Sequence, residues 1–162
     1  MSTYPSTTAF SEDVFSPNRT NVTQLNASRS RALVAVHDHW SEKVDQRLNE
    51  LVHLPVGWDG YAARPVAFST ANFAFRMLEQ LKIPGCEVPH LVPGVNGDLQ
   101  AEWHTESSSI ELHVLAPNRV DAWYQGDDQV IEEVALTNNF IVVVGWLRAL
   151  VRQDGAANST AA

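Results

Sequence analysis

"DLQAEWHTESSSIELHVLAPNRVDAWYQ", residues 98–125, decides the fold, because polar and apolar side chains alternate through it with a period of two. A loop at 106–109 predicts a hairpin pairing Trp103 with Leu112, Ala101 with Val114 and Thr105 with Ile110, which makes one face apolar. The same register places His104 beside Glu111 and Glu102 beside His113 on the other face. A three-residue turn, Ala116-Pro117-Asn118, then returns the chain so that Val120, Ala122 and Tyr124 oppose Val114, Leu112 and Ile110. Asp121 thereby falls beside His113, and Trp123 beside Glu111. A slip of one residue would turn the whole apolar set to water.

Upstream, helical spacing replaces alternation. Leu33, Val36, Trp40, Val44, Leu48 and Leu51 recur at three- and four-residue steps, which predicts a helix from Ser28, capped by Ser28 or Ser30 and ended by Pro55. His37 and His39 lie two apart on it and diverge by about 200°, a poor arrangement for one metal ion. A second helix, capped by Ser69 or Thr70, buries Phe73, Met77 (or Ala74), Leu78 and Leu81 before Pro84-Gly85. Downstream, "TNNFIVVVGWLRALV" predicts a final helix from about Asn138 with Phe140, Val144, Leu147 and Val151 along its stripe; Gly145 and the β-branched run leave a central strand as the alternative for 140–145. The fold class is therefore α+β: two N-terminal helices, an antiparallel meander of three to four strands, and a C-terminal helix packed on the sheet. Residues 1–27 read as a flexible arm, 28–153 as one domain and 154–162 as a loose tail. Within the arm, Phe10 and Val14 have the spacing of a short docking helix.

The connector between the first two helices, "LPVGWDGYAARPV" at 54–66, crowds Trp58, Asp59, Tyr61 and Arg64 between glycines and prolines. Gly57 and Gly60 permit left-handed backbone, and Asp59 can accept from amides ahead of it. Trp58 and Tyr61 are expected to fold into the crevice between helices and sheet, about 2–3 kcal/mol for each ring buried. The functional alternative makes them, with Asp59 and Arg64, a recognition knob. This motif, followed by an amphipathic helix, the Pro-bounded strand "VPHLVPG" and Ala101-Glu102-Trp103, resembles a recurrent type of small bacterial and phage protein with a Gly-Trp-Asp-Gly-Tyr signature and a Leu-Glu-Trp-like strand. The resemblance covers residues 54 to about 115, with Ala101 standing where Leu is expected. It brings no established activity, so it implies no catalytic role for Asp59, Tyr61 or Glu102.

Charge narrows the function further. Of 162 residues, 19 are acidic against 11 lysines and arginines, and residues 87–135 hold ten acids and one arginine, so the net charge of −8 gathers in the sheet half. Such a field repels phosphate backbones and anionic membranes and attracts basic protein surfaces. Arg29, Arg31, Arg148 and Arg152 would have to converge to reverse it. The lone cysteine, Cys86, leaves no intramolecular disulfide and no thiolate cluster. No run approaches the roughly eighteen apolar residues of a membrane helix, and "MSTYPSTTAF" offers no secretion signal, so a cytoplasmic location is expected. The Asn-x-Ser/Thr triplets at Asn18, Asn21, Asn26 and Asn158 then read as accidents of composition.

Trp123 stands among carboxylates on the polar face, a costly residue to leave wet, and either the C-terminal segment or a partner should cover it. The expected function is a non-enzymatic acidic interaction module whose binding residues are Trp58, Asp59, Tyr61, Arg64, Glu102, Glu111, Asp121 and Trp123. Its most concrete form is a phage or mobile-element inhibitor, antitoxin-like or anti-CRISPR-like, presenting carboxylates where a basic partner would hold phosphates. No cofactor and no direct nucleic-acid contact are expected. Two alternatives stand beside it: a metal-assisted hydrolase using His104, Glu111, His113 and Asp121, and a homodimer paired through an apolar edge.

Overall fold

The structure, a computed structural model, describes residues 38–126 and 131–160. In chain order the elements are α1 (His39–Val52), α2 (Phe68–Leu81), β1 (His90–Pro93), β2 (Leu99–His104), β3 (Ser109–Ala116), β4 (Arg119–Gln125), β5 (Ile131–Leu136) and α3 (Ile141–Thr160). The strands form one antiparallel sheet in the order β1-β2-β3-β4-β5, so the α+β class holds with five strands rather than three to four. The unexpected strand is β5, "IEEVAL", whose adjacent glutamates hide the alternation.

Helix α1 begins at His39, not at Ser28. Asp38 stands in extended backbone and its carboxylate accepts from the Ser41 amide at 3.1 Å, satisfying a first-turn donor. The same carboxylate binds Lys82 just past α2, and Lys82 foremost, with the Ser41 amide, lowers its pKa to about 2. The tail end of α1 closes where the His53 amide reaches the Asn49 and Glu50 carbonyls. Helix α2 starts one residue before the expected caps: Ala67 is its N-cap without a side-chain bond, and Thr70 is buried inside the first turn. The arm, Leu33, Val36 and His37 lie outside the described residues.

All three described helices pack on one face of the sheet. Val44, Leu48 and Leu51 from α1, Ala74, Met77, Leu78 and Leu81 from α2, and Val143, Trp146, Leu147 and Leu150 from α3 meet Leu99, Ala101, Trp103, Ile110, Leu112, Val114, Val120 and Ala122. Residues 140–145 therefore belong to a helix and its approach, and the buried stripe runs through Val143 and Trp146 rather than Val144 and Val151, which are only partly buried. The helix continues to Thr160, past Gln153, where sequence alone suggests loose chain. Tyr124 stacks on Trp146 with ring centroids 5.6 Å apart, and the Trp146 indole donates to Glu132 at 3.0 Å, which fastens α3 over β4 and β5. Cys86 is buried beside the Trp103 indole, which donates to the Glu87 carbonyl; burial foremost pushes its thiol pKa up to about 11.

Candidate functional site

With every described helix on one side, the opposite face of the sheet carries none of them. Alternation along each strand turns the same residues outward that sequence spacing assigns to the polar face, and Leu112 is fully buried on the other. The pairing of β3 with β4 is also as expected: His113 opposes Asp121, Glu111 opposes Trp123, and Ile110 opposes Tyr124. A bulge between Val114 and Ala116 absorbs the odd residue, so the tight turn is Pro117-Asn118, with Asn118 at φ 59°.

The β2–β3 register differs from the expectation by two residues. Ala101 opposes Leu112, Trp103 opposes Ile110, Glu102 opposes Glu111, and His104 opposes Ser109. The cause is the turn. Thr105 and Ser108 close it themselves, the Thr105 amide donating to the Ser108 carbonyl at 2.8 Å and the Ser108 amide to the Thr105 hydroxyl at 3.0 Å, which leaves only Glu106-Ser107 at the tip. An even shift preserves both faces but replaces the expected Glu102–His113 and His104–Glu111 pairs.

A single row of directly opposed residues now crosses the whole sheet: His90, Glu102, Glu111, Trp123 and Glu133. Glu102 and Glu111 are like charges face to face, an arrangement that costs a sheet stability. His104 lies 3.2 Å from the Glu102 carboxylate and His90 lies 4.0 Å from it, beside a cavity of about 230 Å³ that Glu87 and Trp103 also line. Trp123 is half-buried between Glu111 and Glu133. The expectation that the C-terminal segment covers it fails, because Trp146 binds the core side of the sheet at Tyr124.

His113 finds a partner that sequence reasoning misses. Its Nε2 binds the carboxylate of Asp98, which is only 7% exposed and also accepts from the Asn96 amide at 3.0 Å. Burial pushes the Asp98 pKa up, but the His113 ring and the amides of Asp98 and Asn96 together outweigh it and hold it below the usual carboxylate value. The signal was the glycine beside it: a Cβ at Gly94 would overlap the Asp98 carboxyl, so the chain keeps glycine where the carboxylate lies against the backbone.

The 54–66 connector is tied to that same corner. The Arg64 amide donates to the Val95 carbonyl at 3.0 Å, the Ala67 amide to the Gly97 carbonyl at 2.9 Å, and Arg64 forms a parallel bridge with Asn96. Within the loop the Asp59 carboxylate accepts from the Tyr61 and Ala63 amides at 2.9 and 3.1 Å, with the Tyr61 bond foremost in lowering its pKa. The aromatic staple does not form as expected. Trp58 closes on its own loop, donating to the Arg64 carbonyl at 3.1 Å, and Tyr61 is 89% exposed. What enters the core from this stretch is Val66, with Ala63 buried behind it. The loop thus holds its shape through Asp59 and Trp58 while Tyr61 and the Arg64 side chain face water.

Among the described residues no group of three or more His, Cys, Asp or Glu side chains is arranged to hold a metal ion. No helix of the described residues is long and apolar enough to cross a membrane. No protein-family model, curated protein or solved structure matches the chain.

Proposed function

We propose that this protein is an acidic interaction module that docks its open sheet face on a basic protein surface. The observation that carries the reading is the row Glu102, Glu111, Trp123 and Glu133, with Asp121 alongside, on a face that no described helix covers. Arg119 is the sole arginine or lysine between residues 87 and 140, so the field of this face is negative with little to offset it. A face-to-face glutamate pair has no folding benefit, and a basic partner would relieve it. Trp123 in the same row supplies the apolar anchor that interfaces of this kind use at their centre. Tyr61 and Arg64, held out on the connector, extend the candidate surface at the corner of Asn96. The most specific form of the reading is a phage or mobile-element inhibitor that occupies a nucleic-acid-binding groove of its partner.

The test compares the native chain with a variant carrying Glu111→Lys, Asp121→Lys and Trp123→Ala in capture from the native cell, with each captured protein then assayed for nucleic-acid binding. Basic proteins held by the native face, lost by the variant, and inhibited in nucleic-acid binding by the native chain are the expected result. The same set of proteins on both chains would refute the docking face.

A further inference from the structure

The two edges of the sheet are built differently. β1 is only four residues long, is framed by Pro89 and Pro93, and its Leu91 carbonyl accepts from the Arg47 guanidinium of α1 at 3.2 Å. Those are the usual devices that stop an edge strand from recruiting another chain. β5 has none of these three, and Glu132 and Glu133 are its charged residues. Its six residues pair with β4 in unbroken register from Val120↔Leu136 to Gln125↔Ile131, without proline, lysine or bulge, and Ile131, Glu132, Glu133 and Ala135 are exposed. No described strand pairs on its outer side. Alternate backbone donors and acceptors of such a strand point away from the sheet and offer a ladder for one more strand.

We propose that the outer edge of β5 receives an extended basic segment of the partner as a sixth strand; the choice of occupant rests on the acidic-face reading above. A second copy of the chain is the wrong occupant on charge. Antiparallel pairing of β5 with itself must match like faces, so its centre falls on a residue such as Glu133 or Val134, and either choice gathers Glu132 and Glu133 of both copies within two positions of the symmetry axis. Each copy also carries a net charge of −8. A basic strand meets the opposite situation. Glu133 faces the open side in the row of Trp123, and Glu132 faces the helix side, so the segment that fits best carries two adjacent lysines or arginines, one for each face. Apolar residues on either side of that pair would lie against Ile131, Val134 and Ala135.

The experiment uses the full chain and three capped octapeptides: TVTKRVTV, the same peptide N-methylated at every amide, and TVTEEVTV. The first should bind and slow amide exchange within Ile131–Leu136; the methylated peptide, with its charge kept and its donors removed, should bind roughly tenfold more weakly; the acidic peptide should not bind. Equal affinity for parent and methylated peptides, lost on Glu111→Lys with Asp121→Lys, would overturn strand addition while leaving the acidic docking face intact. Slowed exchange in β5 that ignores those two charge reversals would instead remove the face and keep the edge. Absence of binding at millimolar peptide, or protection confined to other strands, would overturn the sixth strand.

Discussion

Replacing Asp98 by Asn removes a charge while keeping an acceptor for the Asn96 amide, so it isolates the charge carried by the bond to His113. A hydrogen bond to a charged group contributes about 1.5–3 kcal/mol. The His113 side chain is 27% exposed and water competes for its ring, which places Asp98→Asn near the lower end, about 1.5 kcal/mol. Asp98→Ala also leaves the Asn96 amide without its carboxylate partner and should lose about 1 kcal/mol more. His113→Ala should cost a similar amount to Asp98→Asn, and the double variant little beyond either single one, a coupling of about 1 kcal/mol in urea unfolding at neutral pH. The sign with acid follows from the lowered Asp98 pKa: the contribution is complete above the unfolded carboxyl value of 3.8 and fades as pH falls through the lower folded one. Asp98→Asn should therefore flatten the acid limb of stability below about pH 4. Additive single effects, within about 0.3 kcal/mol, together with an unchanged acid limb, would refute the pairing.

Glu111→Lys turns the opposed Glu102–Glu111 pair into an attractive one and should raise stability by about 0.5 kcal/mol at low salt, a gain that shrinks near 1 M salt, as urea midpoints at both ionic strengths would show. Leu112→Ala empties a fully buried position under the helices and should cost about 3 kcal/mol in the same assay. Gly94→Ala must push the Asp98 carboxyl aside and should reproduce the Asp98→Ala loss, with faster amide exchange at Asn96. Tyr61→Ala removes a ring in water and should change stability by less than about 0.5 kcal/mol, whereas it should weaken partner capture if the connector forms part of the interface.

The faces of the sheet were legible because side-chain direction depends only on parity, so even a two-residue error at β2–β3 left Glu102, Glu111 and Asp121 outward. The distance between them was not legible, since it depends on whether Thr105 and Ser108 close the hairpin, a choice made by the Thr105 hydroxyl and the Ser108 backbone rather than by hydrophobic pattern. β5 escaped notice because its core-side Glu132 finds its hydrogen-bond donor in an indole from a helix later in the chain. The connector was legible in its backbone: the glycines adopt φ of 77° and 85°, and Asp59 bonds forward as its chemistry suggests. Its aromatics were misjudged, because Trp58 finds its acceptor six residues on within the loop and Tyr61 stays in water.

The lone thiol beneath Trp103 has a practical consequence. With its ionisation suppressed and its sulfur enclosed, Cys86 should ignore a maleimide while the domain is shut and react only when that corner opens. The rate of labelling is then a one-site readout of opening, native to the chain, against which every variant above can be timed without adding a probe.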